Sequence, residues 1–286
     1  MKASAEQKAR KKALRKEKLN KRITEIDALR GLAVFLMVFD HFMYDVFALM
    51  PSIFGGYKTD GFWYGFAKIA RSYWSWYIRV DVRLFVLFVF LSLTGISCSL
   101  SRSNMKRGLK LAGLALALTI GTVAVDFIAG LKGGMVIVFG ILHLIALCLI
   151  IIALIEKLTA NKWVYLIIGI VMVVVGLVIA DPVAVLEYSV DYNNFFPLFW
   201  EGFIGKILLG PDCYSFFFYG GQVFIGVFMG KLLYPERKSI ISDKGYSDNF
   251  LTFAGRNTLL VYVAHQLLIP VVLGIILLIC GYTISF

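Results

Sequence analysis

The 286 residues hold three histidines, His41, His143 and His265, and each lies inside a long apolar run. A neutral imidazole is the form favoured where the dielectric is low, and it can take a proton from a hydroxyl or amine nucleophile. The first run reads EIDALRGLAVFLMVFDHFMYDVF. At 100° per helical residue, Arg30 and His41 project about 20° from each other, and Asp27 and Asp45 fall within about 40° of His41. One helix face is therefore a polar stripe about 16 Å long from Arg30 to His41, while Leu32, Phe35 and Phe39 take other faces. Asp40 projects roughly 100° away, toward a neighbouring helix.

Ionisable groups inside a bilayer are costly, and those that persist face a bundle interior or an aqueous cavity. A single buried histidine is adequately explained by an interhelical hydrogen bond that fixes packing. Three of them, with Arg30 and two aspartates in line with His41, weigh toward chemistry. His143 falls about nine residues into an apolar run starting at 134, and His265 about eight into one starting at 257. That spacing predicts both near mid-membrane, with His41 nearer the outer side and all three able to share a cavity. No pair has the i, i+4 spacing of a helical metal site, so no metal is expected.

Basic residues offer the second half of an acyl-transfer site. Arg30, with Arg102, Lys106, Arg107 and Lys110 in the loop near 102–110, supplies cations for the phosphates of a coenzyme A nucleotide. Each, taken singly, is better explained by the bias of Lys and Arg toward the cytoplasm. Ser92, Gly95, Ser97 and Ser99 in SLTGISCSLS permit either close helix packing or a channel for a pantetheine arm.

The elements that must position these groups are transmembrane helices. The chain is 59% hydrophobic and 16% charged, with a mean hydropathy of +0.80, outside the range of a soluble domain. Apolar runs near 26–50, 82–101, 109–130, 134–155, 162–180, 214–233 and 257–281 are each long enough to cross about 30 Å of hydrocarbon. They predict an all-α integral membrane protein of about seven spans. A basic cytoplasmic tail occupies 1–22, one transmembrane domain occupies 23–286, and no second soluble domain has room.

Of the 29 Lys and Arg, ten lie in the first 22 residues. With that tail inside, 22 basic residues fall on the cytoplasmic side and seven on the other, which predicts a cytoplasmic N-terminus and an extracytoplasmic C-terminus in the cell membrane. The +11 charge thus reads as membrane topology and anionic-lipid contact, with no nucleic-acid module. The first apolar core is too long for a cleaved signal peptide, so the tail is expected to stay attached. Cys98, Cys148, Cys213 and Cys280 lack metal spacing, and Cys213 with Cys280 at the outer surface leaves a bridge open.

Two outer segments exceed simple connectors. The aromatic stretch 51–81, with Trp63, Tyr64, Tyr73, Trp74, Trp76 and Tyr77, predicts an interfacial helix, with sugar stacking as the lesser reading. Residues 181–213 predict a re-entrant or surface-lying helix, with room for a partial eighth span near 195–210. No internal repeat supports an inverted-repeat transporter.

The motifs RITEIDALRGLAVFLMVFDH, VRLFVLFVFLSLTGISCSLSRSNMKRGLK, VFGILHLIAL and AGRNTLLVYVAHQLL occur in that order. Across most of 22–281 they resemble the bacterial relatives of heparan-α-glucosaminide N-acetyltransferase. The last motif, with Gly255, Arg256, Asn257, His265 and Gln266, is fairly specific. The Arg30–His41 spacing is also similar to that of the integral membrane O-acyltransferases of bacterial surface polysaccharides, in which that histidine is taken as catalytic. The lysosomal enzyme carries Asn where this chain has His41, so the role of His41 comes from the second resemblance. The segment DYNNFFPLFWEGFIGKILLGPDCYS is expanded relative to the bacterial relatives.

Together these resemblances imply acetyl-CoA as a cytoplasmic donor and a glycan or amino-sugar acceptor on the far side. On the residues, His41 is the expected general base, with Asp45 or Asp40 orienting it, and His265 or Asn257 binding the thioester carbonyl. Arg30, Arg102, Arg107, Asn257 and His143 complete the expected donor-binding set. A route through acetyl-histidine stays open, as does a homo-oligomer. The alternatives are a proton-coupled transporter or flippase using the same Asp and His residues, and a scaffold recruiting a partner through its basic tail.

Overall fold

The structure, a computed structural model, describes residue 19 and residues 22–59, 61–130, 132–134, 136–179, 187–210, 212–241 and 246–285. The basic tail, except Leu19 and Arg22, lies outside them. The protein is an all-α multi-pass membrane protein. Among the described residues, seven helical segments are long and apolar enough to cross a bilayer: Thr24–Phe54, Tyr77–Leu100, Asn104–Ile128, Ile141–Leu158, Lys162–Ile179, Phe216–Leu233 and Thr258–Ile279.

Two compact units divide the chain. The first combines residues 1–90 with 238–286, and the second is 91–237. In the first, α1 (Thr24–Tyr44) continues through a π turn (Asp45–Leu49) into α2 (Met50–Phe54). Next come the short helix α3 (Phe62–Trp74) and α4 (Tyr77–Leu100), which carries the chain from the first unit into the second. As expected for an interfacial helix, α3 is amphipathic. Trp63, Phe66, Ala70 and Tyr73, at i, i+3, i+7 and i+10, pack on Met43, Val46, Met50 and Phe54, whereas Phe62 and Ile69 are exposed.

Helices α10 (Phe250–Arg256) and α11 (Thr258–Ile279) complete this unit. They are separate helices because Asn257 departs from helical geometry at φ −109° and ψ 24°. Helix α10 lies antiparallel on α1 with backbone against backbone. A Cβ on Gly31 would strike the Leu251 carbonyl, and one on Gly255 the Asp27 carbonyl.

The second unit holds the end of α4, then α5 (Asn104–Ala129), α6 (Ile141–Leu158), α7 (Lys162–Ile179), α8 (Phe195–Ile204) and α9 (Phe216–Leu233). Helix α9 is its centre. Gly226 and Gly230 meet Ser92, Ile96 and Ser99 of α4 in parallel, and Gly221 meets Gly169 of α7 in antiparallel. Spans two and six of a seven-span chain must run parallel, so this packing agrees with the count. It also resolves the stretch of small residues: a Cβ on Gly95 would collide with the Val223 carbonyl. Close packing fills the space that a pantetheine arm would need at this helix contact.

The stretch 187–210 contributes a two-residue parallel pair, β1 (Glu187–Tyr188) with β2 (Leu208–Leu209), and the ten-residue α8, too short to cross a bilayer. All four cysteines are free, so the Cys213–Cys280 bridge left open by the sequence is not formed.

Candidate active site

The N-terminal part of α1 is organised by Asp27. Its buried carboxylate accepts from Arg22 at 2.6 and 2.8 Å, from the Tyr246 hydroxyl at 3.0 Å and from Arg30 at 3.4 Å. Burial, with the nearby Asp27 carboxylate, raises the Tyr246 phenol above its ordinary value, so it stays a donor. Arg30 also reaches the Gly255 carbonyl at 3.5 Å, and Glu25 accepts from Ser239 and from the Ile240 N–H. Charges that would be expensive alone are thus paired, and they hold the antiparallel α1 and α10 together.

Between three and four turns further along α1, His41 meets His265 of α11, with ring centroids 5.0 Å apart and planes at 73°. Each ring is held in the same way: His41 Nδ1 lies 2.9 Å from the Met37 carbonyl, and His265 Nδ1 lies 3.2 Å from the Val261 carbonyl. A carbonyl only accepts, so Nδ1 carries the proton and a neutral ring keeps its lone pair on Nε2. The Nε2 of His265 is buried without a partner among the described residues. The arrangement can accept a proton, and in the neutral form His265 cannot donate to a carbonyl oxygen.

Neither aspartate expected to orient His41 bonds to its ring. Asp40 accepts from Arg79 at 2.9 and 3.0 Å and from the Tyr73 hydroxyl at 3.0 Å. Asp45 is buried in the π turn, where its carboxylate has no hydrogen bond or ion pair among the described residues. It is the Met37 carbonyl that orients the His41 ring. Asn257 gives one amide N–H to the Phe253 carbonyl at 2.8 Å, and a primary amide has a second to offer.

His143 belongs to the second unit and departs from the expected depth. The apolar run from 134 is not helical until Ile141: Gly140 is the N-cap, and His143 sits in the first turn. The preceding Val136, Ile137 and Val138 are β-branched or flanked by β-branched neighbours, and the Ile137 backbone is held by Thr119 and Thr122 hydroxyls at 2.7 and 3.1 Å. Thr119 spends its proton on the Ile137 carbonyl, so His143 Nε2 at 3.1 Å must donate to it, while Nδ1 accepts from the Gly140 N–H at 3.3 Å. Both ring nitrogens are occupied.

Arg102 and Arg107 are exposed in the second unit, and Arg107 gives N–H groups to the Ser97 carbonyl and Asn104 Oδ1. Among the described residues, no three His, Cys, Asp or Glu side chains converge as metal ligands. Arg79 and Tyr73 are site residues that the sequence reading missed as such. Their signal was Asp40 itself, a carboxylate in an apolar layer that requires a cation.

No curated protein and no solved structure matches the chain. Residues 22–267, which take in both histidines of the pair and Asn257, match the family model of the heparan-alpha-glucosaminide N-acetyltransferase catalytic domain, so the chain belongs to that family and is a membrane acetyltransferase.

Proposed function

We propose that this protein transfers an acetyl group from acetyl-CoA, taken at the cytoplasmic face of the cell membrane, to an amino sugar or glycan presented on the other side. The observation that carries the reading is the His41–His265 pair, in which both Nδ1 atoms face backbone carbonyls and the buried Nε2 of His265 has no partner among the described residues. Neutral His41 takes the proton from the acceptor amine or hydroxyl as its nitrogen or oxygen forms a bond to the thioester carbonyl carbon. The C–S bond then breaks, and the leaving thiolate takes that proton from the imidazolium to give the coenzyme A thiol.

Asn257, eight residues and about 12 Å before His265 along the chain, offers its second amide N–H to the donor rather than to the oxyanion at His41. Arg30 at the inner end of α1 is our candidate for the donor phosphates, and Arg102 and Arg107, exposed in the second unit, are each a candidate on their own. We assign His143 no donor contact, because its ring is committed to Thr119 and Gly140. The distribution of basic residues supports a cytoplasmic N-terminus and an extracytoplasmic C-terminus.

The test is sided. Purified protein in sealed vesicles should release coenzyme A and form acetylated glucosamine in equal amounts, detected by mass spectrometry, only when acetyl-CoA is on the face bearing the N-terminus. Transfer from the opposite face would reverse the topology. Absence of both acetyl-CoA binding and product would overturn the donor assignment in favour of proton-coupled transport.

A further inference from the structure

Asp40 and His41 are successive residues on α1 and point about 100° apart, so whatever fixes Asp40 also fixes the rotation of His41 about the helix axis. Asp40 is held by an unusually complete set of contacts for a side chain in an apolar layer. Arg79, at the start of α4, gives it two hydrogen bonds at 2.9 and 3.0 Å, and its Nε donates to the Trp74 carbonyl of α3 at 3.2 Å. The same guanidinium lies 3.6 Å over the Trp74 ring. Tyr73 of α3 adds the third bond to Asp40, and burial together with that carboxylate pushes its phenol up to about 12, so it remains a donor at any working pH. The side chains of Arg79 and Asp40 are only 7% and 15% exposed.

The clamp sits where it is needed. Regular α-helix ends at Tyr44, and the π turn from Asp45 shifts the angular phase of everything beyond it. The outer half of the span therefore does not by itself dictate where His41 points. Three elements, α1, α3 and α4, meet at one guanidinium one residue before the imidazole, and the far side of His41 faces His265.

We propose that Arg79 is a positioning residue for acetyl transfer, acting through Asp40 to hold His41 Nε2 in its productive direction against His265. The inference rests on the reading of His41 as the base. A planar guanidinium whose Nη1 spans both oxygens of one carboxylate while its Nε binds a backbone carbonyl fixes orientation in a way that a point charge does not.

Removing Arg79 alone leaves an uncompensated carboxylate in the apolar layer and costs stability whatever the function. The informative variants are therefore Arg79→Lys, which keeps the charge, and the double variant Asp40→Asn with Arg79→Gln, which removes both charges. Each is assayed for folded yield, acetyl-CoA KM and kcat beside parent and His41→Ala. The double variant should bind acetyl-CoA with an unchanged KM and lose about 10²-fold in kcat, the scale of a reacting group displaced by about 1 Å; Arg79→Lys should lose about tenfold.

A merely structural pair predicts parent kcat per folded molecule in both. That result, with His41→Ala slow, overturns this inference alone. Parent-like transfer by His41→Ala would instead remove the reading on which it rests. Should the double variant not fold, the kcat of Arg79→Lys decides by itself.

Discussion

His41 and His143 are both imidazoles in helices of apolar sequence, yet their hydrogen bonds load them in opposite ways. His41 gives its Nδ1 proton to Met37 of its own helix and keeps a lone pair on Nε2, beside a second ring arranged identically. His143 accepts at Nδ1 from Gly140 and donates at Nε2 to Thr119, closing a loop onto the start of α6. A buried histidine is costly in either setting. What separates a base from a fastener is the hydrogen bond at its other nitrogen, because that bond decides whether a lone pair is left to do chemistry.

The comparison breaks most completely at the glycine contact beneath the first site. Gly31→Leu puts a side chain where the Leu251 carbonyl lies, and backbone on both sides cannot yield as a flexible side chain would. We expect a loss of about 3 kcal/mol or more, read as a collapse of the monodisperse folded fraction on heating. A variant as stable as the parent would refute the close approach of α1 and α10.

A smaller effect sharpens the contrast. His143→Ala strands the Gly140 N–H and takes the donor from Thr119, and should cost about 1–3 kcal/mol of stability with acetyl transfer per folded molecule unchanged. Loss of transfer with no loss of stability would put His143 in the site after all.

Much of the frame was legible without coordinates. Seven runs of bilayer length gave seven helices, because hydrocarbon thickness leaves little freedom in where a span must be apolar. The helical repeat placed Arg30 and His41 on one line. What failed was whatever depended on a partner. The run from 134 is apolar throughout, so hydropathy alone began its helix seven residues early; the structure starts it after Gly140 and holds Ile137 with two threonines from α5.

Ser92, Gly95 and Ser99 advertised space, but only α9, with Gly226 and Gly230 at matching depth, showed that the space is closed. Asp40 was visible as a residue pointing away from His41. That Arg79 and Tyr73 meet it depends on α3 folding back across α1, which no local pattern encodes.

The role of His41 as the base is decided by single-turnover transfer by His41→Ala, normalised to folded protein and measured beside parent and His143→Ala. A fall of about 10²-fold or more is expected for His41→Ala, with acetyl-CoA affinity and melting temperature close to the parent. A His41→Ala protein that transfers acetyl at the parent rate would contradict it.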